Sequence, residues 1–125
     1  MSILIPVSPG ELVDKITILR VKAARIAPDK QANVRRELAL LEAVAAQALP
    51  SGLEAYFADL EAVNAALWDV EEGKRDCERR GDFGPEFISL ARRVYRENDK
   101  RAALKRRIND LLSSEIVEEK SYQSY

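Results

Sequence analysis

Apolar residues recur at helical spacing along most of the chain, and the breaks between periodic stretches fall at proline and glycine. The first stretch carries Leu12, Ile16, Leu19, Ala23 and Ile26, spaced i, i+4, i+7. Ahead of it, Ser8-Pro9-Gly10-Glu11 reads as a capping box: a serine to accept an orphan N–H, a proline at the first helical position, and a glutamate able to reach back. The pattern predicts a helix over about residues 9–27, stopped by Pro28. The β-branched run Ile16-Thr17-Ile18 would also suit a strand, but the box and the period favour helix.

Three further helices follow by the same reasoning. Residues 30–48 place Val34, Leu38, Leu41, Ala45 and Ala48 on one face and end at Leu49-Pro50. Ser51-Gly52-Leu53-Glu54 reads as a second capping box, opening a helix over 52–80 with Leu53, Tyr56, Leu60, Val63, Leu67, Val70 and Cys77 inward. Gly73 interrupts it at about 1 kcal/mol relative to alanine. After the turn Gly81-Asp82-Phe83-Gly84, Pro85 starts a helix over 85–112 carrying Phe87, Leu90, Ala91, Val94, Ile108 and Leu112. The last two helices are each about 40 Å long. The expected fold is all-α: one domain over 1–125, an antiparallel four-helix bundle of two shorter helices and a long helical hairpin, with an extended N-terminal segment and a C-terminal tail.

Composition narrows the chemistry. Among 125 residues there is no histidine, one cysteine and one tryptophan, which removes Ser-His-Asp and Cys-His nucleophile pairs and imidazole metal ligands. Neither a cofactor nor a metal site is expected, and no residue reads as catalytic. A lone cysteine closes no internal disulfide, and Cys77 on a core stripe reads as a small hydrophobe. No stretch approaches the roughly 20 apolar residues of a membrane span. Met1-Ser2-Ile3-Leu4-Ile5-Pro6-Val7 lacks a basic region and a cleavage pattern, so it is expected to belong to the mature fold, in the cytoplasm.

The net charge of −1 conceals segregation. Residues 87–112 carry eight bases and three acids, whereas residues 53–80 carry eight acids and four bases. Pairing between these two helices is the expectation, in preference to nucleic-acid binding.

The apolar stripe of the last helix breaks after Val94, where helical phase puts Asn98, Arg101 and Lys105 inward, with Asn109 at the edge. Asn64, Glu71 and Arg75 flank the stripe of the preceding helix beside Trp68, and Lys15 and Lys22 edge the first helix. Charges in a core must be paired, hydrated or completed by a ligand. One reading of this cluster is a register-fixing network joining Glu71 to Arg101 or Lys105. The other is an anion pocket in which Lys22, Arg101 and Lys105 hold a phosphate or carboxylate, Asn64 and Asn98 orient it, and Trp68 forms a wall. Glu71 is then the one candidate general acid or base. The paired-carboxylate pattern of helical nucleotide pyrophosphohydrolases fails, because Arg75 stands where a second glutamate is wanted. No glycine-rich phosphate loop is present.

Ile5-Pro6-Val7-Ser8-Pro9-Gly10-Glu11-Leu12, Asp14-Lys15-Ile16-Thr17-Ile18-Leu19, Lys22, Leu67-Trp68, Asn98-Asp99, Arg101-Ala102, Lys105-Arg106 and Val117-Glu118-Glu119-Lys120-Ser121-Tyr122 together resemble a family of small, uncharacterised proteobacterial proteins, a domain of unknown function. The resemblance covers nearly the whole chain except the second helix. It implies no activity, but it implies companionship with genes for envelope polysaccharides, and it adds weight to Lys15, Lys22, Trp68, Asn98, Arg101 and Lys105. Gly73-Lys74 depart from the pattern, as do Ser113-Ser114, where a helix-ending glycine is wanted. The marked termini are expected to pack on the bundle or to form a contact surface. The functional expectation is an accessory or interaction module that associates with a second copy or another protein, through Ile3, Leu4, Ile5 and Val7 or through Ile18 and Val21. The alternative is a binding protein or enzyme for an anionic metabolite.

Overall fold

The computed structural model of the protein describes residues 1–125. It contains four α-helices and no strand: α1 Pro9–Arg25, α2 Gln31–Ala48, α3 Glu54–Arg80 and α4 Pro85–Leu111, with a 3-10 turn Pro28–Lys30 before α2. The β-branched run lies inside α1, where the helical period and the cap outweigh strand propensity. No helix is long and apolar enough to cross a membrane.

Helix ends follow local chemistry, with two departures from expectation. Ser8 caps α1, its Oγ accepting from the Glu11 N–H at 3.1 Å. Ile26 and Ala27 are extended ahead of Pro28, so α1 stops at Arg25. The second capping box does not form. Gly52 sits at φ +93°, which swings Ser51 out of line and leaves Leu53 as a cap without a side-chain hydrogen bond. At the far end of α3, Gly81 takes the left-handed conformation at φ +63°. Ser113 occupies the equivalent position after α4 at φ +51°, and the Ser114 N–H closes the last turn onto the Asn109 carbonyl at 2.9 Å. A serine performs the stop that glycine would perform with less strain.

The helices pack unevenly. α1 contacts α2, α3 and α4, and α3 contacts α4, whereas α2 rests on α1 alone apart from the adjoining 3-10 turn. The core is Val13 of α1, Leu60 and Val63 of α3, and Leu104 and Ile108 of α4. Because α1 has neighbours on several sides, Leu12, Val13, Ile16, Leu19 and Val21 are all buried. Val21 is therefore buried, while Ile18 beside it is half-buried. With a single neighbour, α2 buries only Val34 and leaves Leu40 and Val44 in solvent. α3 runs unbroken through Gly73, whose missing side chain admits Leu90: a Cβ there would lie 3.0 Å from Leu90 Cδ1. Gly10 marks a tighter approach, since its Cβ would fall 2.6 Å from the Lys105 carbonyl oxygen.

Two substitutions test these positions by urea denaturation. Gly10→Ala forces α1 away from α4 and should cost about 2 kcal/mol, within the range for overpacked sites. Ser113→Gly relieves the left-handed backbone and should add about 1 kcal/mol.

Candidate functional site: a polar seam between α1 and α4

Successive turns of α1 present Gly10, Glu11 and Asp14 toward Asn109, Lys105 and Arg101 of α4. Asp14 is fully buried, 0% exposed. Its carboxylate accepts from Arg101 Nε at 2.9 and 3.0 Å and from Nη2 at 2.5 Å, a fork that matches the planar guanidinium. Asn64 of α3 donates to Asp14 Oδ1 and to Thr17 Oγ1, each at 3.0 Å, while the Thr17 hydroxyl donates to the Asp14 carbonyl. Every polar group around the buried carboxylate is thereby satisfied.

One turn further along α4, Lys105 Nζ lies 2.6 Å from Glu11 Oε2 and 2.8 Å from Glu118 Oε2. Glu118 comes from the tail, and its other oxygen accepts from Ser8 Oγ at 2.5 Å. Glu11 thus serves the tertiary pair instead of closing the capping box onto Ser8. Burial alone would lower the Lys105 ammonium, but the hydrogen bonds to Glu11 and Glu118 outweigh it and hold the pKa above the ordinary lysine value. Burial would likewise raise the Glu118 carboxyl, but the bonds from Lys105 and Ser8 hold it below the usual carboxylate value. At the end of the seam the Gly10 N–H, an unsatisfied donor of the first turn, gives its hydrogen to Asn109 Oδ1 at 2.7 Å. The tail then continues along α4. Lys120 pairs with Asp99, and Tyr125 packs on Tyr95 with ring centroids 4.9 Å apart.

The structure distributes the candidate residues among several places. Asn64, Trp68, Glu71, Arg75 and Arg101 line an open groove of about 450 Å³ together with Ile18, Val21 and Leu67. Asn98, Arg101 and Lys105 line a second groove, of about 380 Å³, bordered by the tail from Glu118 to Tyr122. Arg101 belongs to both. Lys22 and Lys15 lie in neither: Lys22 is half-buried with no ion pair, and Lys15 is exposed, 3.9 Å from Glu11.

Glu71 does not meet Arg101 or Lys105. It pairs within its own helix, 2.5 Å from Arg75 and 3.4 Å from Lys74, because the i+3 and i+4 positions are nearer than α4. Its hydrogen bond to Arg75 holds the carboxyl below its ordinary value, opposite to what a general acid at neutral pH requires. Charge pairing between the long helices is confined to one ion pair beside the turn, Arg80 with Glu86 at 3.0 Å, and its base comes from the acidic α3. Arg92, Arg93, Arg96 and Arg107 lie on the solvent side of α4 and pair with nothing. Cys77 is buried, and burial pushes its thiol up, away from nucleophile chemistry.

Sequence reasoning passes over Asp14, the centre of the seam, together with its partner Thr17. One signal was available. Asp14 shares its side of the helix with Gly10, Thr17, Ile18 and Val21, small or apolar residues at i−4, i+3, i+4 and i+7, so an acid there is buried or meets a base.

The fold and seam define a class: an all-helical protein whose inward basic residues are closed off by its own carboxylates. The chain belongs to the family of unknown function DUF6165, whose sequence profile matches residues 3–125. No curated protein and no solved structure matches it.

Two measurements examine the seam. Arg101→Met strands a buried carboxylate and should cost roughly 3 kcal/mol in urea unfolding, whereas Asp14→Leu combined with Arg101→Met should recover most of that loss. For the tail, the Glu118 and Asp99 carboxyls both lie below their unfolded values in the docked state. Their stabilisation is complete above the ordinary carboxylate range and is lost as pH falls through the lowered folded values. Amide exchange of residues 115–125 should therefore accelerate on acidification, at a pH where α1 and α4 stay protected.

Proposed function

We propose that the protein is a cytoplasmic accessory or interaction module: a single domain built as an antiparallel helical bundle, which works by presenting surfaces to a second copy or to another protein. The observation that carries this reading is the N-terminal segment. Ile3, Leu4 and Ile5 are 76%, 94% and 68% exposed, an apolar run leading directly into the buried cap Ser8. Consecutive exposed apolar residues anchored to a rigid helix are a contact surface more than a packing accident. The seam supports the same reading, because Asp14 balances Arg101 and the carboxylates of Glu11 and Glu118 balance Lys105, so the inward cations hold the fold together.

A second reading, binding of an anionic metabolite, draws support from the convergence of Asn64, Trp68, Arg75 and Arg101 on one groove with apolar walls. It is the weaker of the two, since both arginines already hold carboxylates. A thermal-shift screen of nucleotides, sugar phosphates and organic acids decides it: stabilisation that disappears in Arg75→Met would favour this reading over the module.

The module reading is tested with a variant lacking residues 1–7. Light scattering at micromolar concentration should show the full chain associated, alone or with a captured partner, and the shortened chain less so, with equal helix content by circular dichroism. A full chain that is strictly monomeric and partner-free removes it.

A further inference from the structure

The unpaired arginines of α4 are not scattered. At about 100° per residue, Arg92, Arg96, Arg107, Lys100 and Arg93 fall within an arc of about 100° and form one basic stripe along the helix. All five are exposed. Only Lys100 has an acidic neighbour, Glu97 on its own helix at 3.1 Å. On α3, Glu54, Glu61, Asp69, Glu72 and Asp76 fall within an arc of about 80° on the side away from the core. Of these, Glu54, Glu61 and Glu72 have no ion pair. The two helices have the same length, 27 residues, and lie side by side, yet no base of α4 meets an acid of α3. α2 does not cover this side of the hairpin, since it reaches only α1, and α1 touches the acidic stripe through Arg25, which pairs with Asp69.

We propose that the hairpin of α3 and α4 is a docking surface for a second copy of this chain, with the basic stripe of α4 on one copy seated against the acidic stripe of α3 on the other. A two-fold axis makes both contacts at once, since each copy offers one stripe of each sign. The placement that sets α3 against α3 and α4 against α4 opposes like charges, so the charge pattern fixes orientation as well as attraction. Between the stripes α3 carries Ala55, Ala62 and Ala66, short residues that let a second pair of helices come close. A polyanion would engage the basic stripe but has no use for the matching acidic one, and the net charge of −1 gives it no general attraction. This inference rests on the module reading and names a surface distinct from residues 1–7.

The test is the molar mass in solution as a function of salt. The full chain should be a dimer at about 50 mM salt, with its dissociation constant rising about tenfold or more by about 500 mM, because exposed charges are screened. In the chain lacking residues 1–7, Arg92→Glu with Arg96→Glu should be monomeric at low salt, as should Glu61→Lys with Glu72→Lys, each with unchanged helix content. Mixing these two variants should restore a heterodimer, which a role in folding alone would not produce. The variant lacking residues 1–7 should keep the salt-dependent dimer. A dimer insensitive to salt, charge-reversed variants that dimerise as well as the original, or failure of the mixture to associate overturns the proposal. So does a monomer that gains mass only with anionic vesicles or RNA. If association vanishes in the shortened chain and survives charge reversal, the hairpin surface falls while the module reading stands.

Discussion

The fold is arranged around one buried carboxylate. Asp14 has no access to water, and an ion in that position is tolerable only with a matched counter-ion and full hydrogen bonding. Arg101 supplies the charge, while Asn64 donates to the same carboxylate and joins it to Thr17. The three helices that provide these groups are thereby committed to one another in register as well as in proximity. A slip of one turn along α4 in one direction would bring Glu97 to Asp14, like against like. In the other direction Lys105 would take the place of Arg101, but Glu11 would lose its lysine and face Asn109. Apolar packing alone discriminates weakly between such slips, because leucine tolerates several neighbours.

Much of the helical pattern was legible in advance because its causes are local. Capping chemistry at Ser8, the steric effect of Pro28 on the residue before it, and the 3.6-residue period each act within a few positions, and each appears where expected. The false capping box at Ser51 shows the limit of the same reasoning: a glycine inside the motif can adopt a backbone that an ordinary residue would avoid, and the motif then dissolves. Phase along α4 correctly turned Arg101 and Lys105 inward. It could not say which acids they met, because Asp14 and Glu11 lie on α1, 87 and 94 residues away in sequence, and Glu118 lies in the tail beyond the helical period. Glu71 is the acid that helical phase offers on the adjoining α3, whereas the carboxylate that Arg101 meets comes from α1, which packs against both.

The uneven packing accounts for another gap. A period predicts that a helix has an apolar face, and says nothing about how many neighbours it will find. α1 finds several and buries most of its circumference. α2 finds one, so Leu40 and Val44 remain in water although the helix forms as its pattern requires. The opposite charges of α3 and α4 show the same distinction, since net charge belongs to a helix but pairing belongs to a face.

The long sequence span of the seam carries a consequence for synthesis. At about 5–20 residues per second, a ribosome that has just added Asp14 needs about 4–17 seconds to reach Arg101, 87 residues on. Until then the Asp14 carboxylate lacks its counter-ion, and the side of α1 that faces α4 stays uncovered even after α2 and α3 have emerged. Glu118, which shares Lys105 with Glu11, arrives later still. The nascent chain therefore cannot settle from its beginning outward. The helix made first is completed last, because its seam closes only when α4 and the tail have been made.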